Sequence, residues 1–230
     1  MTLIDYQNVE IQQQERTILS GVNFQLNEGE FIYLIGKVGS GKTSLLKTLY
    51  GELPLAAGDK CEVMGYDMRT IRRKQIPDLR RRLGIVFQDF QLLTDRNVAD
   101  NLRFVLEATG WKNSEETEHR IDEVLSLVGM QEMRQKFPHE LSGGEQQRIV
   151  IARAILNTPA IVLADEPTGN LDEETGDQIV ELLRHISANG SAVIMTTHNL
   201  SIVKQHPAIV CRCEEGQVRV VTEEFYRQTE

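Results

Sequence analysis

Several features are scarce in this 230-residue sequence, and each scarcity excludes something. Apolar runs are short, as in AIVLA at 160–164, whereas crossing a bilayer takes roughly 20 apolar residues, so no membrane span is expected. The start, MTLIDYQNVE, has no basic segment followed by an apolar one, so no signal peptide is expected either. There are only three cysteines, Cys61, Cys211 and Cys213, which rules out a disulfide framework and fits a reducing compartment. Cys211 and Cys213 lie two apart in a strand-like stretch, where both would pack on one side. Positive charge is also short, with 25 Lys and Arg against 34 Asp and Glu and a net charge of -9. A broad nucleic-acid surface needs the opposite balance. Repeats, low-complexity tracts and long linkers are missing.

What remains is an ordinary globular composition, 40% hydrophobic and 26% charged. FIYLIG (31–36) reads as a buried strand, followed by a helix in TSLLKTLY with Leu45, Leu46 and Leu49 on one face. CEVMGYD and GIVFQ (84–88) read as strands. NVADNLRFVLEATG places Val98, Leu102, Val105 and Leu106 at helical spacing, and EETEHRIDEVLSLVG does the same with Ile121, Val124, Leu125 and Val128. The stretch 90–157 therefore reads as a helical insert. After Pro159, AIVLADE and SAVIMTTH are strands, with a helix between them carrying Ile179, Leu182, Leu183 and Ile186. Strands alternating with helices predict an α/β fold with a mainly parallel sheet. Trp111 reads as a helix-end packing residue. RTIRRKQIPDLRRR (69–82) reads as a solvated helix with Ile76, Leu79 and Leu83 turned to the core.

The chemistry gathers where these strands end. GKVGSGKT, Gly36 to Thr43, has the spacing G-x-x-x-x-G-K-[ST] between a strand and a helix. The backbone of Gly36, Lys37, Val38, Gly39, Ser40 and Gly41 can turn its N–H groups toward phosphates. Lys42 reaches the outer phosphates, the Thr43 hydroxyl suits Mg²⁺, and Ser44 follows in the same turn. IVLADE delivers Asp165 as a Mg²⁺ ligand and Glu166 as the group that polarises a water. His198 and Gln88 also close their strands, His198 toward a γ-phosphate and Gln88 toward the metal or the water. LSGGEQQR, Leu141 to Arg148, is a second glycine-rich helix start with no lysine of its own.

In this order, the glycine loop, Gln88, LSGGEQQR, Asp165-Glu166, GNLD (169–172) and His198 resemble the ATP-binding-cassette ATPases along essentially the whole chain. The resemblance implies a P-loop, RecA-like core with an N-terminal antiparallel β portion and an inserted α-helical subdomain. Residues 1–230 then form one domain, with 1–89 and 158–230 as the nucleotide-binding core and 90–157 as the insert. It also implies ATP and Mg²⁺, and a homodimer in which Ser142, Gly143, Gly144 and Glu145 of one chain face the ATP of the other. Asp172 couples the two sites.

RKQIPDLRRRLGIVFQDFQLLTDRNVADNL (73–102) is similar to the FtsE family of cell-division ATP-binding proteins. That likeness implies a cytoplasmic protein held at the inner face of the membrane by a polytopic partner of FtsX type, regulating cell-wall hydrolysis. Related cassettes serve lipoprotein release or macrolide export. The partner would dock near Gln88 and the helical insert. Two departures stand out. Gln12 occupies the position where an aromatic residue usually stacks on adenine, with Tyr6 the nearest aromatic, and Asn199 follows His198 where aspartate is usual.

Overall fold

Period-two alternation divides the central strands between two cores. The computed structural model describes residues 1–227. In β3 (Phe31–Ile35), β7 (Ile161–Asp165) and β8 (Ala192–Thr197), Tyr33, Val162, Ala164, Val193 and Met195 point into one apolar cluster. Ile32, Leu34, Ile161, Leu163, Ala192 and Ile194 point into the other. Burial on both faces explains why these strands read as unbroken apolar runs. They belong to a six-stranded sheet with β6 (Leu83–Val86), β9 (Ile209–Glu214) and β10 (Gln217–Val220), in the order β10-β9-β3-β8-β7-β6. Every pairing is parallel except β10 with β9.

The second cluster lies under an antiparallel sheet, order β2-β1-β4-β5, formed by β1 (Thr2–Gln13), β2 (Arg16–Asn27), β4 (Lys60–Val63) and β5 (Tyr66–Asp67). Helix α1 (Lys42–Leu49) is sandwiched there through Leu45, Leu46 and Leu49. Cys211 and Cys213 face this core, and burial pushes both thiols up to about 12. The first cluster is covered by α3 (Val98–Ala108), α4 (Ser114–Leu127), α5 (Gly143–Ile155) and α6 (Glu173–Ala188). The chain ends with α7 (Leu200–Gln205) and, at the edge of the described residues, α8 (Thr222–Arg227). Trp111 packs at the end of α3 and donates its indole N–H to Asn157 at 3.1 Å.

Three local expectations change. CEVMGYD is a hairpin and not one strand, because Met64 and Gly65 take left-handed φ values of 47° and 84° and reverse the chain between β4 and β5. The arginine-rich stretch is helical only over α2 (Ile76–Arg81), and Leu83 opens β6, where the backbone pairs with Ile161. Three of its arginines tie it to carbonyls earlier in the chain. Arg69 bonds Asp67 and the Gly58 carbonyl, Arg80 the Tyr50 carbonyl, and Arg82 the Met64 carbonyl. Finally, β6 stops at Val86, so Gln88 lies two residues past the strand in an irregular loop.

Candidate functional site

Five parallel strands share one carboxyl edge, and the loops leaving β3, β6, β7 and β8 meet there. Helix α1 begins at that edge without a side-chain cap and without an acidic residue in its first turn. Gly41 caps it at φ +103°, and an added Cβ would lie 3.0 Å from Leu19 Cδ2. Its first N–H groups are therefore left for an anion. The Ser40 hydroxyl is buried in the same loop without a hydrogen bond, a further unused donor.

Lys42 is almost fully buried, and its ammonium donates to the carbonyls of Gly36 at 2.8 Å and Lys37 at 3.2 Å. It also lies 3.4 Å from Glu166 Oε1. The other oxygen, Glu166 Oε2, is 2.8 Å from His198 Nδ1. Lys42 at the start of α1, and Glu166 and His198 in the loops after β7 and β8, thus form one connected chain. Val38 projects from the glycine loop and is 89% exposed. A cleft of about 640 Å³ runs from this loop past His198 and Leu200 to Cys213 and Glu215.

Asp165 closes β7 on the face of Ile161 and Leu163, the side on which α1 packs and Thr43 begins. A threonine hydroxyl, a carboxylate and the Gln88 amide make an oxygen donor set that suits Mg²⁺. The Gln88 main-chain carbonyl accepts from Asn170 Nδ2 at 3.4 Å in the turn after β7, and a Cβ on Gly169 would lie 3.9 Å from the Gln88 side-chain Nε2. Beyond it, Phe90 and Gln91 both take left-handed φ values, and Arg153 of α5 donates to both carbonyls, at 2.8 and 2.6 Å.

LSGGEQQR lies elsewhere. Ser142 caps α5: its Oγ accepts from Glu145 N–H at 3.3 Å, while Ser142 N–H and Oγ each donate to Glu145 Oε2 at 2.7 Å. These bonds hold the Glu145 carboxyl below its ordinary pKa. The neighbouring helix α6 is capped by Asp172, which accepts from Thr175 N–H at 2.9 Å and Thr175 Oγ1 at 2.7 Å. The Thr175 bonds hold Asp172 low as well, the backbone donor first. A Cβ on Gly144 would stand 2.4 Å from Thr175 Cγ2, so only glycine lets the two helix starts touch. Among the described residues, no hydrogen bond or ion pair joins the LSGG residues to the glycine loop of the same chain.

The two departures can now be placed. Tyr6 is 1% exposed, and its hydroxyl donates to Thr48 Oγ1 of α1 at 3.3 Å. It is a core residue and cannot stack on a base. Gln12 is exposed and its amide donates to Glu10 Oε1 at 2.8 Å. Asn199 caps α7, accepting from Ser201 N–H at 3.0 Å, a role in which asparagine and aspartate are interchangeable. Sequence reasoning missed two residues, Arg153 and Thr196. The signal for each was a polar residue inside an apolar run, IVIARAI and AVIMTT.

The sequence profile of the ABC transporter family matches residues 19–169. The cell division ATP-binding protein FtsE of Streptococcus pneumoniae is 43% identical over 202 residues, covering 88% of this chain and 87% of that protein. Among solved structures, the dimeric post-hydrolysis state of the ATP-binding cassette MJ0796 bound to ADP and Pi superposes with a TM-score of 0.82 at 29% identity. That match covers 94% of this chain and 97% of the other. The cassette cbiO1 from Clostridium perfringens, part of the transporter complex cbiONQ, gives 0.90 at 27% identity over 99% and 92% of the two chains.

Proposed function

From the premise that the chain belongs to the ABC transporter family, we propose how its residues divide the work of an ATPase. The chain is an ATP-hydrolysing subunit of the FtsE kind. The uncapped start of α1 and Lys42 take the phosphates of ATP, with Gly36 to Ser44 as the cradle. Thr43, Asp165 and Gln88 hold Mg²⁺, which when bound neutralises charge on the outer phosphates. Glu166 orients the attacking water and accepts its proton, and His198 fixes the second carboxylate oxygen. The Lys42–Glu166–His198 chain is the single observation that carries this reading, because it gathers a phosphate-binding cation and a base at one strand edge.

Ser142, Gly143, Gly144 and Glu145 form half of a site completed by the ATP of a second copy, and Asp172 lies beside them to sense it. The dimer acts on a polytopic membrane protein of FtsX type at the cytoplasmic face of the membrane. Among the described residues no helix is long and apolar enough to cross a membrane. The partner docks around Gln88 and α3, where Phe104 is 44% exposed beneath the Arg96 guanidinium, 4.7 Å from the ring centroid. Relatives named for cell division, at 38–43% identity over most of the chain, favour this partner class. The net charge of -9 argues against nucleic acid as partner.

The test is Glu166→Gln in the full chain. It is expected to bind ATP, to lose hydrolysis by about 10²- to 10⁴-fold, and to accumulate as a dimer on a sizing column with ATP. Hydrolysis near the parental rate would remove Glu166 as the base. Recovery of a polytopic protein on purification from membranes tests the partner.

A further inference from the structure

Thr196 is the next-to-last residue of β8, fully buried, two residues before His198. Its parallel-sheet neighbour in register is Asp165. The alternation that sends Ile194 toward α1 sends Thr196 the same way, beneath the edge where the two acidic residues emerge. Its hydroxyl makes two bonds in opposite senses. It donates to Asp165 Oδ1 at 2.7 Å and accepts the backbone N–H of Glu166 at 2.8 Å. One buried hydroxyl therefore touches both residues to which the ATPase assigns metal and base.

Each bond has a reason to matter. Glu166 is a non-glycine residue at φ +47°, a strained conformation that persists only where its surroundings hold it. Its N–H points into a buried place, where loss of the Thr196 acceptor leaves an unsatisfied donor. Asp165 can rotate about its terminal bond, and a bond on Oδ1 fixes the plane of the carboxylate so that Oδ2 remains for a cation. The neighbouring Thr197 does nothing comparable, because its hydroxyl accepts from Asn199 N–H in the following turn.

We infer that Thr196 is a positioning residue of the ATPase, aligning the Asp165 carboxylate for Mg²⁺ and locking the strained backbone that presents Glu166. It touches neither substrate nor metal. The inference rests on the assignment of Asp165 and Glu166 given above. It implies that the two carboxylates are set together by a single hydroxyl, so that metal affinity and turnover fall together when that hydroxyl is lost.

The test compares Thr196→Val, which keeps the shape and removes the hydroxyl, with Thr196→Ser, which keeps the hydroxyl. Equilibrium binding of a fluorescent ATP analogue to the full chain is measured in chelator and across a Mg²⁺ titration, with ATP turnover measured alongside. Thr196→Val should bind the analogue in chelator as the parent does, need about tenfold more Mg²⁺ for the same gain in affinity, and lose about 10- to 100-fold in kcat with KM little changed. Thr196→Ser should stay within about threefold of the parent in both. Should Thr196→Val fail to fold, Thr196→Ala removes the same hydroxyl and is read in the same way. A hydroxyl-free variant with a parental Mg²⁺ response, or a Thr196→Ser chain that falls as far as Thr196→Val, overturns the inference. A parent chain whose nucleotide affinity ignores Mg²⁺ overturns instead the assignment of Asp165 on which it rests.

Discussion

Two helices begin at glycine-rich sequences in this molecule, and they begin in opposite ways. Helix α1 starts at a left-handed glycine with no side-chain cap and no acidic residue in its first turn, so its N–H groups are open and Lys42 stands beside them. Helix α5 starts at a reciprocal Ser142–Glu145 box that satisfies two donors, the N–H groups of Ser142 and Glu145, and brings a carboxylate to the positive end of the helix. The first is an anion site that a single chain can use. The second has no cation of its own, and in the proposed dimer it gains an anion only when another copy supplies both phosphate and lysine. The difference explains why one chain carries both.

That contrast can be broken at its strongest point first. Lys42→Ala should cost about 100-fold or more in nucleotide affinity of the monomer, since a charge-assisted contact is removed from a buried place. Ser142→Arg should leave that affinity within about twofold while abolishing the ATP-driven dimer, read by equilibrium nucleotide binding and by light scattering. Loss of monomer binding by Ser142→Arg would merge the two helix starts into one site and end the comparison.

A smaller effect tests the contact between α5 and α6. Gly144→Val drives a side chain into Thr175, and overpacking of this kind costs about 1–3 kcal/mol. Thermal unfolding should shift down by several degrees, with partial recovery in the double variant with Thr175→Ala. Full stability of Gly144→Val would mean that the two helix starts are free to part.

The smallest effect sharpens the claim that α5 is self-satisfied. Ser142→Ala should cost about 1 kcal/mol of stability at neutral pH. The Ser142 bonds depress the folded-state pKa of Glu145, so their contribution is complete above the ordinary glutamate pKa of about 4.3 and disappears as pH falls through the depressed value. The gap in melting temperature between parent and Ser142→Ala should therefore narrow on acidification below that ordinary value, leaving the part due to the Ser142 Oγ bond with Glu145 N–H, which does not titrate. A gap that stays constant down to pH 3 would show that the carboxylate takes no part in the cap.

The sequence made the sheet edge legible because burial on both faces leaves long apolar strands, and the residues just past them, Asp165, Glu166 and His198, stand out against those runs. The motif spacings carried the glycine loop and LSGGEQQR. Other features depended on contacts far apart in the chain. Leu83 has a helical neighbourhood, yet pairing with Ile161 claims it for β6. Met64 and Gly65 reverse a stretch whose composition suits one continuous strand. Tyr6 is the aromatic nearest to Gln12 in the sequence, and only the packed structure shows it turned inward onto Thr48. Thr196 and Arg153 acquire their roles from partners 31 and 63 positions away. The local pattern shows a polar residue inside an apolar run, but not the partner it meets.

The central claim, that α1 and α5 complete each other only between copies, can be tested by one cross-link. All three native cysteines are buried, so engineered surface thiols are the reactive ones. Two differently sized tagged chains are mixed in the Glu166→Gln background, one carrying Val38→Cys in the glycine loop and the other Ser142→Cys at the start of α5, and treated with a short thiol-reactive bridge. The account predicts a mixed-size cross-linked product that forms with ATP and not without it. Absence of that product when ATP is bound would contradict it.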